Sequence, residues 1–262
     1  MPELPEVEVL ARHLRPHLLG QTIRRVQVLS PATVRSPRAD RFARLIRGRT
    51  VRGVSRKGKY LLIALDGAMF LAVHLCMTGD LVVVPRSRPL HPHTRVVLGL
   101  DGADLRFLDQ RRFGSMALLP GRALPAFPTL KRLGAEPLGV AFTLERFRAL
   151  LRPRRGGLKA LLLRQEVVAG IGNLYADEIL FQARLHPGRR VESLRLGEVR
   201  RLYRAVRHVL RRAVLGLARA GDPGGVLLPV RQEGAACPRC DGRLAGLRLA
   251  GRTTVFCPSC QG

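Results

Sequence analysis

Short apolar-rich runs fill the first 120 positions. TIRRVQVL (22–29), TVRGVSR (50–56), KYLLIAL (59–65), MFLAVHL (69–75), DLVVVP (80–85), TRVVLGL (94–100) and ADLRFLD (103–109) are each six to eight residues long. Gly48, Gly53, Gly58, Gly67, Gly79 and Gly102 punctuate them. Closely spaced β-branched runs of this kind predict an antiparallel sandwich or barrel. One helix precedes them. Pro5 suits a first helical position, and Glu6 and Glu8 favour the helix dipole. Val7, Leu10 and Leu14 fall on one face, and Pro16 closes the element. SPATVRSPRADR and PRSRPLHPH read as loops.

The period changes after PGRALPAFPTL, whose three prolines mark a linker. FTLERFRALL, GLKALLLRQEVV, GNLYADEILFQARL and GEVRRLYRAVRHVLRRAVLGLAR all read as helices. In the last, Val199, Leu202, Val206, Val209 and Ala213 share a face. The class is therefore α+β. The boundaries are 1–120 for the β part, 121–136 for the linker, 137–230 for the helical part and 231–262 for a cysteine-bearing end.

Charge narrows the partner. There are 46 basic residues against 19 acidic, a formal net charge of +27. Such an excess points to a polyanion, nucleic acid before an anionic membrane surface. Only four of the 46 are lysine. Codon bias accounts for arginine over lysine but not for the excess over acids. No apolar run approaches the ~20 residues that span a bilayer, and no secretory signal precedes the first helix. A soluble, cytoplasmic protein is expected.

Cys237, Cys240, Cys257 and Cys260 have the spacing of a four-thiolate zinc site, for which a reducing compartment favours metal over disulfides. A closed thiolate shell makes that zinc structural, and the hairpin it pins would present Arg252 outward. Cys76 lies in an apolar stretch and reads as a buried core thiol. In VVAGIGNLYADE, Gly170 and Gly172 break the helical pattern and Asn173 reads as an N-cap. The bare amides of such a helix start bind phosphate, although a plain helical-hairpin turn explains the glycines equally well. The run from Arg184 to Arg219, with 11 arginines and two glutamates, reads mainly as a solvated helix face.

Several of these stretches together carry a family resemblance. PELPEVE at the start, GKYLL (58–62), HLCMTGDL (74–81), DQRRFG (109–114), VAGIGNLYADEILF (168–181), LHP (185–187) and the terminal GRTTVFCPSCQ resemble the bacterial formamidopyrimidine-DNA glycosylases. That branch is shared with the endonuclease VIII-like glycosylases. The resemblance spans nearly the whole chain in order. It implies an N-terminal β-sandwich, a helix–two-turn–helix domain and a zinc finger. It also implies a monomeric, nucleoid-associated bifunctional glycosylase and abasic-site lyase acting on damaged double-stranded DNA, with one structural zinc.

The resemblance also assigns roles to residues. Met1 is removed, and the secondary amine of Pro2 attacks C1′ of the damaged nucleotide to form a Schiff base. Glu3 is the general acid/base at the sugar, with Glu6 supporting it. Lys59 donates a proton in β-elimination, and Arg252 assists the second elimination. Met77, Arg111 and Phe113 fill the gap left by the flipped nucleotide. Composition and spacing alone would put Met77 and Phe113 in a core. His93, Arg155, Lys159 and Asn173 match positions near DNA phosphates.

One departure bears on substrate. Between the last long helix and Cys237 stands only AGDPGGVLLPVRQEGAA, where the family carries a longer segment with a mobile loop that folds over 8-oxoguanine. The expected lesion is therefore a ring-opened or oxidised purine, with 8-oxoguanine disfavoured. The alternatives are an endonuclease VIII-like preference for oxidised pyrimidines, a catalytically silent damage-binding zinc protein, or an RNA-binding zinc protein. A silent or RNA-binding protein leaves the Pro2–Glu3 pair without a purpose.

Overall fold

The computed structural model describes residues 2–262. Met1, whose removal the resemblance implies, lies outside them. The chain divides into two compact units: residue 2 with 6–131, and residues 3–5 with 132–262.

In the first unit, helix α1 (Leu4–Leu18) is followed by β1 (Arg25–Val28), β2 (Val34–Ser36), α2 (Ala39–Ile46), β3 (Val51–Lys57), β4 (Tyr60–Leu65) and β5 (Met69–His74). Then come β6 (Gly79–Pro85), β7 (Thr94–Gly99), β8 (Ala103–Asp109), β9 (Ser115–Pro120) and a short helix α3 (Pro128–Lys131). Four strands form one sheet in the order β1-β7-β8-β6, and five form another in the order β2-β9-β5-β4-β3. All pairings are antiparallel except β2 with β9. Leu61, Ile63, Leu71 and Val73 of one sheet and Val96, Leu98, Leu105 and Phe107 of the other share a single buried core. Two sheets over one core make a sandwich, not a closed barrel. Val7, Ala11, Leu14 and Leu18 of α1 pack into the same core at helical spacing.

All seven expected strands are present. The supposed loop SPATVRSPRADR instead holds β2 and the start of α2, too short and too polar to show a period. Pro16 does not end α1 but sits in its last turn. Cys76 is not a core residue. It is half-buried after β5 with φ +56°, and its thiol lies 2.9 Å from His74 Nδ1.

In the second unit, α4 (Leu144–Leu151), α5 (Leu158–Leu163), α6 (Asn173–Ala183) and α7 (Leu196–Ala220) precede the hairpin β10 (Ala245–Leu249) and β11 (Arg252–Phe256). The expected second helix is cut short: GLKALLLRQEVV is helical only through Leu163. Gln165 then turns the chain, accepting from the Gly170 amide and donating to the Leu163 and Ile171 carbonyls. The five residues predicted for the apolar face of α7 are all buried. They pack with Phe147, Leu162, Ile179 and Leu180 in one core, which Leu4 also enters. A smaller core of Phe181, Leu227, Leu244 and Val255 surrounds Cys237 and Cys257.

Candidate nucleic-acid repair site

Glu3 is 1% exposed, and its carboxylate faces the start of α6. Gly172 N donates to Oε2 at 2.5 Å, and Leu174 N donates to Oε1 at 3.0 Å. Leu4 N donates to Gly170 O at 3.0 Å. This segment explains both glycines. Gly170 has φ +90°, and a Cβ there would stand 2.6 Å from Leu4 Cβ. A Cβ on Gly172 would overlap the Glu3 carboxyl carbon. Two of the amides that a phosphate would use are thus taken by a carboxylate, which the positive end of the helix dipole also favours. Gly172 is the N-cap, so Asn173 is the first helical residue rather than the cap.

Asn173 reaches the zinc-pinned hairpin, its Nδ2 donating to Thr253 O at 3.0 Å. Lys159 Nζ and Arg231 Nη2 donate to the same carbonyl, each at 3.1 Å. One turn along α6, buried Asp177 pairs with Lys159 at 2.7 Å and with Arg231 at 2.5 Å, and accepts from Val255 N. Lys159 is 0% exposed, also donates to Thr254 Oγ1, and belongs to this cluster. Burial pushes its ammonium pKa down, against the opposing pull of Asp177. Asp177 and Arg231 were not singled out from sequence, because nothing in the spacing of a helix and a loop announces an ion pair. The signal that was available is a pair of adjacent acids, Asp177 and Glu178, on the mostly apolar helix NLYADEILF. Arg252 opens β11, exposed, next to the braced Thr253. Arg155 is exposed in the loop before α5.

The four cysteine sulfurs lie within 4.8 Å of one another, with Cys237–Cys260 at 3.9 Å and Cys240–Cys257 at 3.6 Å. Tetrahedral thiolates at about 2.3 Å from zinc stand roughly 3.8 Å apart, so the set fits that ion. The four cysteines form a structural zinc site.

In the first unit, Met77 is 41% and Phe113 51% exposed, so neither packs in the core. Asp109 ties their loops together. It accepts from Thr78 Oγ1 at 2.5 Å and from Gly114 N at 2.7 Å, while Arg111 N donates to Thr78 Oγ1. The Arg111 guanidinium lies 4.9 Å from the Phe113 ring centre. His93 is half-buried, and its carbonyl accepts from Asp109 N.

Lys59 sits in the turn after Gly58, half-buried. Arg56 braces that turn, donating to Gly58 O and pairing with Glu8 of α1 at 3.0 Å. Burial raises the Glu8 pKa, but the Arg56 and Arg12 partners outweigh it and the net shift is down. Lys59 is near enough to His74 to disfavour its protonation. Pro2 is half-buried, one residue from Glu3.

Comparison with known proteins places this geometry in context. The profile of the formamidopyrimidine-DNA glycosylase N-terminal domain matches residues 1–116, that of its H2TH domain residues 133–220, and that of the zinc finger found in FPG and IleRS residues 234–262. Formamidopyrimidine-DNA glycosylase of Desulforamulus reducens is 41% identical, and that of Thermus thermophilus 45%, each over 100% of this chain and 99% of its own length. The Lactococcus lactis enzyme in complex with DNA containing an oxidised pyrimidine superposes with a TM-score of 0.91 at 30% identity, covering 99% of both chains. A mutant of that enzyme with Fapy-dG DNA matches with the same score, identity and coverage.

Proposed function

Because the chain belongs to the formamidopyrimidine-DNA glycosylase family, whose members are bifunctional glycosylases and abasic-site lyases, we propose that it excises oxidised bases from duplex DNA and cuts the strand through a Schiff base on Pro2. The observation that carries this reading is the Glu3 carboxylate, one residue from Pro2, with both oxygens held at the start of α6.

With Met1 removed, Pro2 carries a secondary amine whose reference pKa of about 7.7–8.0 leaves part of it neutral near pH 7. Its nitrogen lone pair attacks C1′ as the C1′–base bond breaks; the base leaves with the bonding pair and takes a proton from water. The C1′–O4′ bond then opens to an iminium, while Glu3 carries the proton from the amine to O4′. The iminium acidifies the C2′ hydrogen. Loss of that proton expels the 3′ phosphate, with Lys59 as its proton donor, and loss of the 5′ phosphate follows beside Arg252. Water hydrolyses the imine and restores Pro2. Met77, Arg111 and Phe113, exposed and tied to one carboxylate, fill the space of the extruded nucleotide. Arg155 contacts a phosphate. Asn173 and Lys159 serve the same interface indirectly, by holding Thr253 and hence Arg252.

The lesion is a ring-opened or oxidised purine other than 8-oxoguanine. The connection after α7 is short and fastened: Val226, Leu227 and Leu228 all donate their amides to the buried Glu178 carboxylate. A segment so anchored does not fold over a flipped base. The same observation admits oxidised pyrimidines as a second reading, since no long loop stands ready to select a purine.

Borohydride should trap a covalent protein–DNA adduct at an abasic site, mapping to Pro2 by mass spectrometry. A cross-link at Lys59 would overturn the mechanism. In single-turnover kinetics on matched duplexes, 8-oxoguanine should be excised about five- to 150-fold more slowly than an abasic site is cut, the worth of one lost bidentate readout. Ring-opened purines should lag less. Equal rates for 8-oxoguanine and the abasic site would show that another segment covers the base.

A further inference from the structure

Helix α7 carries seven arginines and one acidic residue, Glu198 in its first turn. Glu198 is already engaged with the Arg195 amide and with Arg189. Opposite the buried face, Arg200, Arg204, Arg207, Arg211 and Leu215 follow at three- or four-residue steps, which places them on one stripe. Among the described residues, Arg200, Arg204, Arg211 and Arg212 make no ion pair. A groove of about 530 Å³ opens along the stripe, lined by Tyr203, Arg204, Arg207, His208, Arg211 and Leu215. Arg207 is fixed in it, donating to Phe142 O at 2.9 Å and to Tyr203 Oη at 3.1 Å.

A helix face that is merely solvated alternates its charges, because acid–base pairs at i,i+4 help the helix and like charges oppose it. This face does the reverse. It stacks like charges at i,i+4 (Arg200/Arg204, Arg207/Arg211) and offers them no counter-charge. Codon bias favours arginine over lysine but does not remove acids. From Arg200 to Arg211 the stripe runs roughly 16 Å, a length over which duplex DNA carries about ten backbone charges on its two strands together. Arginine forks match phosphate, and with no asparagine, glutamine or acid in the groove, guanine is the one base edge that such a lining reads directly. It shares no residue with the cluster of Glu3, Gly172, Asn173 and Thr253.

We propose that the arginine groove of α7 is a second, sequence-independent binding face for duplex DNA, able to hold a segment while the repair site holds the lesion. The proposal rests on the DNA-repair reading above. It predicts a chain that grips one segment while acting on another, and so passes between segments without release.

The test saturates the protein with a short duplex bearing a reduced abasic-site analogue and adds a fluorescent undamaged duplex at about 50 mM salt. Anisotropy should report capture of the second duplex. In R204E/R211E, whose wild-type side chains have no ion pair to lose, capture should fall roughly tenfold or more. Its salt slope should fall by about 2, one for each lost phosphate contact. Single-turnover cleavage of saturating abasic DNA should be unchanged, which separates this proposal from the catalytic one. Reversing two exposed arginines elsewhere, R41E/R52E, should leave most of the capture intact. No second duplex on the wild-type protein, equal loss in both double variants, or preferential capture of single-stranded RNA would each overturn the assignment.

Discussion

Glu3 shows how much one side chain depends on a neighbour that has none. Its carboxylate occupies the space where any residue larger than glycine at 172 would put a Cβ. Gly172→Ala should therefore leave the helical core intact and displace the acid. A shift of about 1 Å in a reacting group costs on the order of 10²-fold in rate. We expect a loss of that size in single-turnover cleavage, with an unchanged circular-dichroism spectrum. Wild-type rates would contradict the placement of Glu3. His74 gives a second test at this scale. Burial, and then the charge of Lys59, push its pKa down to about 4 from an ordinary value of 6.5. The unfolded chain thus takes up the proton first as pH falls. The stability that neutral His74 contributes is complete above pH 6.5 and lost towards pH 4, about 2–3 kcal/mol after allowing for partial exposure. Denaturant midpoints should drop more between about pH 7 and pH 4.5 in wild type than in His74→Asn. Parallel curves would refute the linkage.

Among the elements, the zinc hairpin and α6 depend on each other. Thr253 O takes three donors, from α5, α6 and the connection after α7, and Asp177 holds two of those donors in turn. Removing zinc should free the hairpin from its thiolate end, and Arg252 with it. Cys257→Ser should lose δ-elimination and DNA affinity while the β-sandwich keeps its own melting transition. A single melting transition lost altogether would argue against separate cores. Asp177→Asn leaves the Lys159 charge buried without its anion and should cost about 3–5 kcal/mol of second-unit stability. This level was the least legible in the sequence. The seven strands, the α7 stripe and the four cysteines announced themselves because period and spacing are local. The resemblance puts Lys159 near DNA phosphates; its burial against Asp177 was not legible, because a lone lysine among the leucines of α5 gives no sign of the partner waiting on α6. The glycines of AGIG were legible as a turn, but their purpose was not: the side chains they make room for, Glu3 and Leu4, stand at the other end of the chain. Met77 and Phe113 looked like core by composition, and only the motif context marked them as exposed.

Across the molecule, the charge decides how any DNA is met before a lesion is read. With 46 basic residues against 19 acidic, the field favours association with undamaged duplex as well as damaged. Binding driven by phosphate neutralisation releases counterions, so log affinity falls linearly with log salt at about −0.9 per phosphate. If roughly five to eight phosphates are neutralised in the repair complex, the slope should lie between about −4 and −7. It should be the same for damaged and undamaged duplexes, because phosphate contacts carry no base information. The lesion should instead shift the intercept, through the extruded nucleotide and the wedge of Met77, Arg111 and Phe113. Met77→Ala should thus weaken binding to an abasic-site duplex by about tenfold and leave the slope untouched, whereas Arg155→Ala should lower the slope by about 1 on both duplexes. Fluorescence anisotropy titrations from about 50 to 300 mM salt would measure slope and intercept together. A Met77 variant that changed the slope, or an Arg155 variant that spared undamaged DNA, would mean that the division of labour between wedge and phosphate contacts has been drawn in the wrong place.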